Sequence, residues 1–315
     1  MIMQLRYDDD FLEAAVFVCA SGRRAGVPAL QVLRFHRARE KCYTVLDPDE
    51  RNAAFFKVHL DWFREWGLEE VLAGVIKRYP LVKRSVSAMA FRQAKSRNEE
   101  GAELFVQRNA KVPERNAVIA LRTERFERDE SLMPFLHREL MHLHDMVDPA
   151  FGYSPFLRTS GPSPTQQRIA RQRYRLLWEV TIDARLARSG ATNSDERERH
   201  QMIFDRAYSF WPEAKRHEVF EELWRNPAPR HDHLLALAAD PRDLSRAHEA
   251  LPGAPCPLCS FPTFEWAPIS SFSDEIIVRL QREFPHWRPE QGCCARCMEV
   301  YENMGRHELP ATVLL

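Results

Sequence analysis

The sequence predicts an α+β protein, predominantly helical, with a small sheet packed beside a His-rich helix and a C-terminal zinc-ribbon or treble-clef module. Three observations lead there. Apolar residues recur at helical spacing through most of the chain, two short β-branched and aliphatic runs precede the His-rich segment, and four cysteines stand in two CxxC pairs behind a Pro-rich stretch. The chain has 315 residues, and domains of roughly 150 residues make that about two domains. The composition places them at 1–250, a helical domain, and 251–315, the cysteine module, with the segment Leu251-Pro252-Gly253-Ala254-Pro255 as the boundary.

The elements follow in order. Ala53, Phe56, Val58, Leu60, Phe63 and Trp66 keep mostly helical spacing over 49–66 and stop at Gly67, while 68–77 forms a second helix ending before Pro80, so the two make a hairpin. The runs 103–107 (ELFVQ) and 116–122 (NAVIALR) are too short for stable helices and flank a turn with Pro113, which suits two strands. Ser131 is the candidate cap of the next helix, with Pro134 in its first turn and the segment LHRELMHLHDM along it. The Pro-, Gly- and aromatic-rich loop 148–164 is of the length that usually carries function. Ser163 and Pro164 then open a helix with Ile169, Leu176, Leu177, Val180 and Leu186 directed inward, and helices fill 196–209, 212–225 and 230–239.

Composition excludes several classes. Forty-five Lys+Arg balance forty-five Asp+Glu, so no long-range field attracts nucleic acid or anionic lipid. There is no apolar run near 18 residues and no apolar segment behind the first methionine, which leads to the expectation of a cytoplasmic protein without membrane contact. Glycine is scarce, at 11 residues, and neither GxGxxG nor GxxxxGK[ST] occurs, which lowers the case for nucleotide binding.

Five of the seven cysteines fall between 256 and 297. Cys256-Pro257-Leu258-Cys259 and Cys294-Ala295-Arg296-Cys297 each turn two thiolates onto one ion, and four thiolates close a tetrahedral structural zinc site without an open position for chemistry. Cys293 is adjacent but out of register. Phe261, Phe264, Trp266, Phe284 and Trp287 would fill a small aromatic core for this module. If nucleic acid is a partner at all, it is through this module; otherwise the expected partner is a peptide or protein. Cys19 and Cys42 lack any surrounding motif and read as inert core thiols, and His231 and His233 as exposed.

On the His-rich helix, Glu139 and His142 stand three apart and share a face, as do Arg138 and His142. His137 is five residues from His142 and reaches that face only through a π-bulge. Downstream, Glu179 and Asp183 lie one turn apart in the otherwise apolar stretch WEVTIDARL, where two carboxylates are costly unless they bind something. The bland reading is a set of ion pairs, with Arg138 bound to Glu179 or Asp183.

The succession of a strand, a helix with RELMHLHDM, a DPAFGY loop and a helix with WEVTIDARL resembles the thermolysin-like zinc metallopeptidases called gluzincins, in their small helical versions, over roughly 103–190. The resemblance implies Glu139 as general base, His142 and Glu179 as ligands of a second zinc, and Asp183 as the carboxylate that orients a ligand histidine. The frame departs at Arg138, where the family carries its first ligand histidine. The expected function is therefore a metallopeptidase-like zinc protein, catalytically intact or degenerate. The alternative is a non-enzymatic protein- or nucleic-acid-binding scaffold with a structural zinc ribbon.

Overall fold

The computed structural model describes residues 3–107, 114–155, 164–191, 195–239, 253–259, 261–268, 271–284 and 287–306. The expected Pro113 turn, the Ser163 cap, residues 156–163 of the 148–164 loop and the Leu251–Pro252 boundary lie outside them. The described residues are mainly helical with one four-stranded sheet, as the pattern predicts. They divide into two compact units, one within Met1–Arg158 and Arg175–Leu234, the other within Thr159–Tyr174 and Leu235–Leu315.

In the first unit, strand β1 (Gln4–Tyr7) is followed by helices α1 (Asp9–Ala20), α2 (Ala29–Cys42), α3 (Pro48–Glu65), α4 (Leu68–Lys77) and α5 (Pro80–Ser85). Strands β2 (Ala88–Gln93), β3 (Gly101–Gln107) and β4 (Glu114–Leu121) complete the sheet, in the order β1-β2-β4-β3. β2 runs parallel to β1 and β4, pairing Leu5 with Met89 and Met89 with Ala117, whereas β3 is antiparallel to β4, pairing Leu104 with Ala117. β3 is thus an edge strand. Helix α6 (Asp129–Val147) packs against it and against α4 and α5. Helix α7 (Pro164–Arg188) belongs to this unit from Arg175 on, followed by α8 (Asp195–Ala207), α9 (Glu213–Arg225) and α10 (His231–Ala239), the last as far as Leu234.

The core of this unit joins Phe11 and Val16 of α1, Phe63 of α3, Met89 and Phe91 of β2, Ile119 of β4, and Leu136, Leu140 and Leu143 of α6, all buried. The α6 residues repeat at three and four, so burying that stripe leaves Arg138, Glu139 and His142 on the neighbouring face. Gly67, read as the stop of the first helix of the hairpin, takes φ +71° at the corner into α4, and the Asp47 carboxylate, which the sequence reading did not single out, accepts the Glu50 N–H at 2.9 Å to cap α3.

Several expectations are corrected. α6 starts at Asp129 with Arg128 as its cap, because two acidic residues already suit the first turn; Ser131 therefore lies inside the helix and Pro134 in its second turn. Cys42 ends helix α2, although the sequence around it looks strand-like, and Ile169 is exposed. His231 is buried against Phe151 and Tyr153, because the 148–155 segment folds over it.

The second unit contains the hairpin β5 (Ala254–Pro255) and β6 (Pro262–Thr263), helix α11 (Asp274–Glu283) and helix α12 (Ala295–Arg306). Ser273 caps α11 by accepting the Ile276 N–H. Leu280, Trp287, Met298 and Tyr301 pack around the cysteines. Phe261 and Phe264, expected in this core, are instead 73% and 77% exposed. The hairpin they ride on is too short to turn both rings inward.

Candidate metal centre and cleft

The four thiol sulfurs of Cys256, Cys259, Cys294 and Cys297 all lie within 4.8 Å of one another. Cys256 Sγ is 3.9 Å from Cys297 Sγ, and Cys259 Sγ is 3.9 Å from Cys294 Sγ. A tetrahedral ion with metal–sulfur bonds near 2.3 Å separates its ligands by about 3.8 Å, so the cluster has the size of a closed four-thiolate site. The backbone favours the thiolate form: the Cys294 N–H points to Cys256 Sγ and the Cys297 N–H to Cys294 Sγ, both at 3.3 Å. Cys293 is buried beside the cluster but outside the ligand group, and burial pushes its thiol up to about 12, as for an inert residue. These four cysteines, the set the CxxC spacing singles out, lie close enough together to hold one metal ion.

The His-rich helix presents a different arrangement. Arg138 Nε and Nη2 donate to the two carboxylate oxygens of Asp183 at 2.9 and 2.8 Å, a bidentate pair that ties α6 to α7. His200 of α8 shares Asp183 Oδ2 at 2.6 Å through Nε2, and Glu196, one turn before it, stands 3.8 Å from Arg138 Nη2. Burial alone would raise the Asp183 carboxyl; the His200 and Arg138 contacts outweigh it and hold the group below the usual range. Asp183 therefore bonds Arg138 and His200, where the resemblance implied a ligand histidine as its partner. Asp183, Glu196 and His200 place one donor atom each within 4.8 Å of one another, and the Arg138 guanidinium already supplies the positive charge between them.

The remaining site residues are distributed around this pair. Glu179 is held by Arg175, one turn earlier, at 2.9 Å. His142 lies edge-on against Trp178 with ring centroids 4.7 Å apart, and burial pulls its imidazole down to about 4, so it is neutral at physiological pH. Neither His142 nor Glu179 joins any group of three metal-donor atoms among the described residues. His137 turns away to the Tyr79 hydroxyl, 2.9 Å from its Nδ1, and α6 is regular there, so no bulge brings it to the face of His142. A second buried network further along α6 links Asp145 to both terminal nitrogens of Arg185 and to the Trp178 indole N–H.

Glu139 is buried, 8% exposed, and its carboxylate accepts the backbone N–H of Ala102 on β3. Burial, only partly offset by that hydrogen bond and by Arg138, pushes the carboxyl up to about 7. A cavity of about 730 Å³ runs along β3, lined by Ala102 to Val106, Arg115, Met146, Tyr153 and Pro155. Ala102 directs its N–H away from β4, and on the other side the Arg115 carbonyl is taken by Ser87 at 2.8 Å. With the register Ala102–Ile119 and Val106–Arg115, the two-residue period points the backbone groups of Ala102, Leu104 and Val106 into the cavity.

His200 and Glu196 were the residues missed in the sequence. Their signal was the four-residue spacing on a charged helix, which is shared by many solvent-facing pairs. No family model, no curated protein and no solved structure matches the chain.

Proposed function

We propose that the protein is a peptide-binding protein on a metallopeptidase-like frame that works without a catalytic metal, and that its cysteine module holds a structural zinc. The observation that carries this reading is the Arg138–Asp183 pair. Under the gluzincin resemblance these positions belong to the first ligand histidine and the carboxylate that orients it. A guanidinium cannot be deprotonated to bind zinc, and here it fills the carboxylate's hydrogen-bonding capacity on that side. Glu179, the implied downstream ligand, is engaged by Arg175.

The recognition surface in this reading is β3. Its outward backbone groups offer hydrogen bonds to an extended peptide, and exposed Phe105 and Val106 on the same strand supply apolar area. For the cysteines, a cluster of four thiolates in tetrahedral spacing fits zinc best, since oxygen-preferring ions avoid such ligands. No described helix is long and apolar enough to cross a membrane.

One observation favours an active peptidase as the second reading: the Glu139 carboxyl at about 7 is suited to a general base. Incubating the protein with casein in the presence of added zinc decides between them. Casein stays intact under the proposal, and zinc-dependent cleavage abolished by Glu139→Gln would overturn it.

A further inference from the structure

We propose that His59 is a proton-sensitive latch: while neutral it closes helix α2 against α1 and α3, and on protonation it loosens α2. The inference uses none of the residues of the peptide-binding reading and goes beyond it. His59 is 3% exposed, and Phe17 of α1, Phe35 of α2 and Phe55 of α3 surround its ring, with centroids 6.3, 6.1 and 6.1 Å away. Its Nε2 is buried and bonds no backbone or side-chain group among the described residues, whereas the rings of His137 and His200 reach Tyr79 and Asp183. In the neutral imidazole this nitrogen can stand as a bare lone pair. Protonation turns it into an N–H donor and puts a positive charge among phenyl rings with no partner to meet it.

The rings themselves do not supply that partner. The Arg39 guanidinium already lies over Phe17 and Phe55, 5.1 and 5.5 Å from their centroids, so a charged His59 would share them with another cation. The charged groups acting on the ring are Asp9 and Glu13 from α1 and Arg39 from α2. Glu13 is half exposed and paired with Arg39 at 3.4 Å, and Asp9 is exposed, so water weakens the pull of both carboxylates. Burial, aided by Arg39, outweighs them and holds the imidazole below its ordinary range. With the folded-state value depressed, the closed arrangement keeps its full stability above the ordinary histidine value of about 6.5 and loses it as pH falls through the folded one.

Helix α2 is the element that yields. It buries only Phe35 and Cys42 and packs chiefly against α3, while α1 is also held by β2 and α3 by α1 and α4. Acid therefore releases α2 before the sheet and its neighbours.

Hydrogen exchange of the full chain, read by mass spectrometry at pH 7.5 and 5.5 and corrected for intrinsic rates, tests this on the wild type and on His59→Phe. The expected result is a loss of protection of roughly threefold or more across the α2 amides of the wild type at the lower pH, absent in the variant. Glu139 and the other histidines titrate in both proteins, so the difference reports His59; His59→Leu repeats the comparison should the larger ring disturb packing. No loss in the wild type, or an equal loss in the variants, overturns the latch. Independently of any variant, the His59 ring followed by NMR in the wild type is expected to titrate below about 6.5, and a midpoint at or above that value overturns the proposal as well.

Discussion

At the residue scale the decisive position is Arg138. The sequence showed that its side chain departs from a ligand histidine, and that pairing with Glu179 or Asp183 was an option; it could not say which, because both carboxylates lie within one turn on α7. The structure chooses Asp183, which is buried and takes both guanidinium donors. Arg138→Ala should leave that carboxylate buried with only His200, at a cost of about 3–5 kcal/mol. Urea unfolding checks this, and a change under 1 kcal/mol would mean that the pair is not a structural tie. Glu139 gives a pH signature. Its folded-state carboxyl is raised, so the protonated form is favoured on folding, and stability falls as pH rises from the normal carboxylate range through about 7. Glu139→Gln should match the wild type near pH 4.5 and exceed it by about 3 kcal/mol at pH 8.5. An identical pH dependence of the two proteins would place Glu139 in an ordinary solvated setting.

At the element scale, what the sequence made legible was local. The α3–α4 hairpin, with Gly67 at the corner, and the β3–β4 pair follow from spacing and turn residues within a few positions. β1 and β2 were not legible: Gln4–Tyr7 is four residues long, and Ala88–Gln93 earns its place by pairing in parallel with distant partners rather than by its own composition. The edge position of β3 is likewise a property of the sheet order. It leads to a test: Val106→Pro removes an N–H that points into the cavity and not one of the β4 ladder, so the fold should survive by circular dichroism while peptide retention drops several-fold. Retained binding in that variant would show that peptides do not pair with this edge.

At the scale of the whole molecule, two carboxylate–arginine ties join α6 to α7, Arg138–Asp183 and Asp145–Arg185, and the four-cysteine cluster organises a separate module. The cluster was fully readable because CxxC spacing fixes geometry by itself, whereas the Asp183–His200–Glu196 arrangement depends on how α8 folds back and left no such imprint. Cys259→Ser should release the metal and disorder the module, since a thiolate site contributes its binding energy to folding. The account as a whole turns on there being one metal position in the chain. Plasma mass spectrometry of the protein purified from zinc-supplemented medium measures that directly: one zinc per wild-type chain, and none in Cys259→Ser, is the predicted result. Two zinc ions per chain, one of them retained in Cys259→Ser and lost in His142→Ala, would contradict it and restore a metal to the His-rich helix.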